Sequence, residues 1–257
     1  MHLLARQSES LDGSGEAVDL GQSPADCIVL SAADSELALL ARAFDRLSRP
    51  KPSLRLANLM ALGHHLSVDS WIERTAATSK LVVVRLLGGR GYWAYGVDEL
   101  VALAQRRPLK LALLPGGRDP DPALAALSTI PPAACQRLHR YLAEGGSDNA
   151  ANFLRYCAEL LGSAAAAPPP AALPHAGIYE LQEQQDADAA IAAIVFYRAL
   201  IEGGLTAPVD RLASALARRG LQPLAGRWWR RGAAARSRAR PGRRRCRSGR
   251  RAAPRAW

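Results

Sequence analysis

The sequence predicts an α/β fold: a doubly wound parallel sheet with flanking helices, then an incomplete second α/β unit and a disordered Arg-rich tail. Three observations predict it. Four short β-rich runs, 27–31 (CIVLS), 54–59 (LRLANL), 81–87 (LVVVRLL) and 109–114 (LKLALL), begin at nearly even spacing, about one βα unit apart. Three of the four are almost continuously apolar, as strands buried on both faces of a parallel sheet require. Amphipathic helical patterns fill the gaps between them, and alternating βα units wind a parallel sheet with one hand.

The helices follow in order. After the first run, Leu37, Leu40, Ala41, Phe44 and Leu47 recur at helical spacing, with Asp34 and Glu36 where a helix N-terminus favours acids. After the second, Ser67 is placed to cap a helix that carries Asp69 in its first turn and Val68, Trp71 and Ile72 inward. After the third, Val97, Leu100, Val101 and Ala104 form another stripe. Pro131 and Pro132 suit the first turn of a further helix with Leu138, Tyr141 and Leu142 on its apolar side. Gly145-Gly146 ends it, and Ser147 or Asp148 caps a last helix bearing Ala150, Leu154, Cys157 and Leu161. These elements make an N-terminal α/β domain over 1–161.

Residues 162–177 (GSAAAAPPPAALPHAG) read as an Ala/Pro-rich linker, extended and semi-rigid. Beyond it, 178–224 begins a second α/β domain. IAAIVFY (191–197) reads as a buried strand, and Thr206 caps a helix with Val209, Leu212, Ala213 and Leu216 inward, closed by Gly220. A parallel strand is due next. Leu221–Leu224 starts like one, and then the composition changes.

Residues 225–257 hold 13 Arg, no Lys and no acid. The whole chain carries a net charge of +11, but 1–224 is slightly acidic, so any affinity for nucleic acid belongs to this block alone and is non-specific in character. A change of reading frame near residue 224 accounts for a tail of Arg, Ala, Gly, Pro and Trp that cuts a supersecondary unit in half. An Arg-rich nucleic-acid arm is the functional alternative. With 49% hydrophobic residues the chain is not wholly disordered. No apolar run approaches the length of a membrane span, and the start lacks a signal-peptide core, so no membrane association and a cytoplasmic location are expected.

Ligands of open parallel sheets bind beyond the carboxyl ends of the strands. The loops at that edge are 31–34, 62–67 (LGHHLS), 88–95 (GGRGYWAY) and 115–119 (PGGRD). Gly88-Gly89-Arg90-Gly91 is neither a dinucleotide fingerprint nor a P-loop. Its glycines allow close backbone approach, Arg90 can pair a carboxylate, and Tyr92, Trp93 and Tyr95 can offer a flat stacking surface. A tight turn whose aromatics pack on the domain explains the same residues more simply. His64-His65 invites a metal reading, but adjacent side chains point apart, and a surface or capping histidine is the simpler account. His2, His139 and His175 stand alone. Cys27, Cys135, Cys157 and Cys246 form no CxxC pair and read as buried free thiols.

Nine stretches, in order across roughly 1–224, together resemble a known family. They are MHLLA at the start, AVDLGQ (17–22), VLSAADSE (29–36), LRLANL (54–59), HHLSVD (64–69), LVVVRLLGGRGYWAYGV (81–97), AALSTIP (125–131), YLAEGGSDNAANFL (141–154) and VFYRALIEGGLTAPVDRLASALARRG (195–220). The set resembles the N-terminal part of CobN-type large subunits of aerobic cobaltochelatases. The large subunit of magnesium chelatase is the nearest related family, and MHLLA and AVDLGQ favour the cobalt branch. The resemblance implies a corrinoid substrate and insertion of cobalt, as substrate metal, into hydrogenobyrinic acid a,c-diamide in aerobic cobalamin synthesis. It implies ATP with Mg on separate AAA+ ATPase partner subunits, and no cofactor on this stretch itself. Family chains are several times longer, with the macrocycle and metal regions downstream. A severed, inactive fragment is therefore expected, with no catalytic or metal residues to carry over. His64, Arg85, Gly88, Gly89, Arg90, Tyr92 and Trp93 match family strings and stand as substrate or interface candidates; His65 stands where proline is expected. A non-catalytic tetrapyrrole- or partner-binding module is the alternative function.

Overall fold

The structure is a computed structural model that describes residues 15–174, 176–181 and 189–228. The opening MHLLA, His2, His175, Cys246 and the tail beyond 228 lie outside the described residues.

Four parallel strands form the first sheet: β1 (Cys27–Ser31), β2 (Leu54–Asn58), β3 (Leu81–Leu86) and β4 (Lys110–Pro115), in the order β2-β1-β3-β4. Cys27 lies opposite both Leu54 and Leu81, and Leu81 lies opposite Lys110. Alternate residues of each strand feed two separate cores. Val29, Val83 and Ala112 face α1 (Asp34–Arg46), α5 (Pro132–Glu144) and α6 (Ser147–Leu160). Ile28, Leu30, Val82, Val84 and Leu113 face α2 (His65–Trp71), α3 (Ala94–Arg106) and α4 (Pro122–Leu127). Two-sided burial is why β1, β3 and β4 read as nearly unbroken apolar runs, whereas the edge strand β2 is mostly half-buried.

The helices depart from expectation in informative places. α1 turns Leu39, Leu40 and Ala43 inward, with Phe44 and Leu47 partly buried, so the predicted stripe is rotated and Ala41 is exposed. Leu37 through Leu40 supply apolar side chains on two sides of this helix; packing against α6 selects one. Ser67 does not cap α2. It sits buried inside the first turn and its Oγ accepts from the Val18 amide at 2.7 Å. His64 takes the capping position instead. Neither Ser147 nor Asp148 caps α6; Gly146, at φ 85°, precedes it, and Gly145, at φ 67°, ends α5. Two consecutive left-handed residues make the reversal sharp, a conformation only glycine adopts without strain. α4 was not anticipated, although its signal is local: the Asp121 carboxylate accepts from the Ala123 and Leu124 amides and Pro122 opens the helix.

The segment read as a linker is fastened to the first domain. Asn149 bridges to Ala171 with its amide oxygen and nitrogen (3.0 and 2.8 Å), and the Ala167 amide donates to Glu159 at 2.8 Å. Tyr141 donates to the Pro168 carbonyl.

The second unit contains β5 (Gly177–Ile178), β6 (Ala190–Tyr197), α7 (Ala199–Glu202), α8 (Ala207–Ala217) and β7 (Leu221–Trp228). Sequence reading broke this unit after Leu224. The structure does not: β7 continues to Trp228 and pairs in parallel with all of β6, from Ala190↔Leu221 to Tyr197↔Trp228, closing a βαβ unit. β5 adds antiparallel to β7, so the order is β5-β7-β6. Composition alone hid this strand, because Arg227 and Trp228 resemble the tail that follows them. Among the described residues no helix is long and apolar enough to cross a membrane.

A charged cleft at the carboxyl edge of the first sheet

β1 and β3 are neighbours, but their chains leave toward opposite faces, β1 into α1 and β3 toward α3. This topological switch opens a crevice beyond their carboxyl ends. The crevice is a cleft of about 340 Å³, lined among others by Ala33, Glu36, Arg85, Gly116, Arg118 and Glu202.

Arg85 is the only charge in the run LVVVRLL, and it continues the series Leu81, Val83 on the α1 side of the sheet. An arginine there must be paired or it destabilises the core. Its guanidinium pairs with the buried Glu36 carboxylate, and Nη2 donates to the Gly116 carbonyl at 2.9 Å. Burial, reinforced by the nearby Arg118 charge and opposed by Glu202, pushes the Arg85 pKa down to about 10, which leaves it charged at neutral pH. Gly116 has no room for a side chain, since a Cβ would lie 2.6 Å from the Leu87 Cα.

Across the cleft, Arg118 pairs with Glu202 at 3.0 Å and Glu144 at 3.7 Å. Arg198, fully buried, pairs with Glu202 at 3.0 Å and Glu144 at 3.3 Å. Three arginines thus meet three glutamates. The balance removes any strong net field for a free cation or anion and suits a dipolar group or a partner segment. His139, read from sequence as isolated, braces the loop after β4: its Nε2 lies 2.7 Å from the Gly117 carbonyl oxygen. Burial, chiefly, pushes its pKa down.

The other predicted residues lie at the same edge but on the α2–α3 side, away from Arg85. Gly89 (φ 69°) opens a 3-10 turn over Arg90–Trp93. Arg90 is engaged with Asp98 of α3 through bonds of 2.6–3.0 Å, so it ties its turn to that helix rather than presenting a free guanidinium. Trp93 is not part of a stacking surface. Its indole is buried and Nε1 donates to the Leu62 carbonyl at 2.8 Å. Tyr92 reaches Met60 Sδ at 3.1 Å. Tyr95 stacks on His65 at 4.0 Å between centroids and donates to Asp69 at 2.7 Å, a bond that pushes the phenol up to about 12. Tyr92 and Tyr95, partly buried, pack beside Trp93 against the core on this side of the sheet.

His64 Nδ1 accepts from the Leu66 amide at 3.1 Å, a capping role. His64→Ala should cost about 0.5–1 kcal/mol, while His64→Asn should restore most of it, because asparagine caps well. Urea midpoints of the three proteins check this; a midpoint unmoved in His64→Ala removes the capping role. Among the described residues no group of three His, Cys, Asp or Glu is placed to hold a metal ion. The described cysteines, Cys27, Cys135 and Cys157, are buried and free, and burial pushes the Cys157 thiol up.

Sequence reasoning found Arg85 and missed its partners. Glu36 reads from sequence only as a helix-start acid, Arg118 lies in the edge loop 115–119 without being singled out, and Glu144, Arg198 and Glu202 fall inside resemblance strings that give them no role.

A family description, CobN/Magnesium Chelatase, matches residues 139–239. An aerobic cobaltochelatase subunit CobN from a Sinorhizobium species is 42% identical over 87% of this chain and 19% of its own length. The CobN subunit of Pseudomonas aeruginosa is 38% identical over the same shares. The catalytic subunit of cobaltochelatase from Mycobacterium tuberculosis matches in structure with a TM-score of 0.62 and 27% identity, over 79% of this chain and 16% of that one. The chain therefore spans about a fifth of the length of the curated relatives it matches. Fold and matches define what the chain resembles: it is an α/β chain similar to part of metal-chelatase subunits of the CobN type. Within that class the chain is homologous to CobN, the large subunit of cobaltochelatase. The match of the family description to residue 239 runs past the predicted break at 224, as does β7.

Proposed function

We propose that the chain serves the large subunit of an aerobic cobaltochelatase, the assembly that inserts cobalt into hydrogenobyrinic acid a,c-diamide in cobalamin synthesis. The observation that carries this is 42% identity to a CobN subunit sustained over 87% of the chain. ATP with Mg is hydrolysed on AAA+ partner subunits, in the cytoplasm, and cobalt and the corrinoid are substrates. Insertion into a planar ring requires groups that orient the ring, take up its pyrrolic protons and desolvate the metal. The charge-balanced cleft around Arg85 offers orientation, not proton uptake, since its carboxylates are held by arginines. This chain by itself therefore does not insert cobalt.

The test pairs this chain, and separately the intact Pseudomonas aeruginosa subunit, with ATPase subunits, corrinoid, cobalt and ATP, and follows the visible spectrum. Insertion is expected with the intact subunit only. Turnover by this chain at a comparable rate overturns the claim that it is inactive alone. A magnesium-chelatase reading predicts instead a response to magnesium and a porphyrin.

A second reading, a non-catalytic module that binds a tetrapyrrole or a partner, is favoured by the exposure of Met60, Leu66 and Leu87 near Tyr92 at the carboxyl edge. It predicts a spectral shift of the corrinoid on binding without insertion, weakened by Tyr92→Ala. A flat titration removes it.

A further inference from the structure

Among the described residues, the second sheet is covered on one face only. β6 and β7 run in register, so residues directly opposite share a face. Ile194 and Phe196, with Ala225, pack under Val209 and Ala213 of α8. The other face holds Ile191 (66% exposed), Val195 (68%) and Tyr197 (70%) on β6, Leu224 on β7, and Ile178 (68%) on β5, which pairs with Gly226. Five large apolar side chains on one continuous surface are more than scattered exposure accounts for. Among the described residues, the edge of β6 is equally unguarded: AIAAIVFY contains no charge, proline or glycine. Natural proteins blunt such edges or cover them.

The pairing of β6 with β7 is parallel, and parallel sheets occur almost only with both faces covered, since crossover helices pack on each. α8 supplies one crossover and one layer. The next element of a right-handed, doubly wound unit would supply the other. The curated relatives carry about four-fifths of their length beyond the part this chain matches. We infer that the face formed by Ile178, Ile191, Val195, Tyr197 and Leu224 is a docking surface for an amphipathic helix of the CobN-type chain outside the part matched here. It is an internal interface of the large subunit, presented open on this chain. The occupant is apolar on one side and follows the sheet at the right-handed crossover expected of the fold. This inference rests on homology to CobN and not on any claim about the corrinoid or about ATP.

Carbene footprinting of this chain and of the intact Pseudomonas aeruginosa subunit tests it. Ile191, Val195 and Tyr197 should label readily in this chain. The aligned residues of the intact subunit should label at least about tenfold less. Val195→Lys should leave the melting temperature of this chain unchanged, because the side chain faces water, and should lower it when placed at the aligned position of the intact subunit. Equal labelling in the two proteins overturns the inference while leaving the chelatase reading untouched. Protection of the same residues in this chain together with a dimeric mass also overturns it, since a second copy is then the occupant. Loss of insertion activity in the intact subunit bears only on the chelatase reading.

Discussion

Trp93→Ala should lower the unfolding free energy by about 3–5 kcal/mol, the range for removing a buried aromatic without refilling its site. Trp93 is 1% exposed and joins the core shared by β3, α2 and α3. The indole fits there because residue 96 is glycine: a Cβ at Gly96 would stand 2.0 Å from the ring. The ring also satisfies the Leu62 carbonyl at 2.8 Å, so truncation leaves a buried acceptor bare. Two further substitutions separate these contributions. Trp93→Phe keeps most of the apolar volume and loses the donor, so it should cost less than alanine. Gly96→Ala should be destabilising in the wild-type background, because the methyl collides with the indole, and close to neutral beside Trp93→Ala, where the ring is gone. That non-additivity is the signature of direct contact. Urea unfolding followed by far-UV circular dichroism reads the four variants against the parent. If Trp93→Ala costs under about 1 kcal/mol, or if the two changes simply add, the indole is not seated in the core as described.

Trp93 also shows where sequence reading reached its limit. Its neighbours Gly88 to Tyr95 read equally well as a ligand loop and as a packed turn, because glycine and aromatics serve both. Only the position of Leu62 and Gly96 decides, and nothing in the loop itself reports them. The first sheet was legible because β1, β3 and β4 are buried on both faces, which writes an apolar run into four or more consecutive residues. The longer helices were legible from their amphipathic spacing, the short α4 and α7 were not, and neither was helix rotation: α1 carries apolar residues on two sides and tertiary packing picks one. Arg85 was visible through its resemblance string, and independently as a lone charge in an apolar strand. Its environment was not visible, since Glu36, Arg118, Glu144 and the pair Arg198 and Glu202 come from four separate segments. β7 was half legible. Its pairing with β6 is a long-range fact, and composition spoke against it after Leu224.

Arg198→Met should release the second unit from the first, at a cost of about 3–5 kcal/mol, the effect of removing one partner from a buried ionic cluster. Arg198 ends β6 with its side chain 1% exposed, and its guanidinium lies against Glu144 of α5 and Glu202 of α7. The same turn is held by backbone: the Gly146 amide donates to the Glu202 carbonyl at 2.8 Å, and Arg42 donates to the Gly203 carbonyl at 2.9 Å. Gly145 permits the approach, since a Cβ there would meet the Glu202 carbonyl oxygen at 2.9 Å. With Arg198 gone, two carboxylates remain near the single charge of Arg118, which is 41% exposed and partly screened by solvent. Repulsion then falls on the turn that joins the two units, and the two β-sheets should come apart before either unfolds. Limited proteolysis should cut within 199–204 and 162–177 of the variant while leaving the first domain whole, and hydrogen exchange should quicken over α7 but not over β1 or β3. Adding Glu144→Gln to Arg198→Met removes one of the stranded charges and should recover part of the loss. If Arg198→Met resists protease as the parent does, the cluster merely fills space and the units are joined by backbone contacts alone.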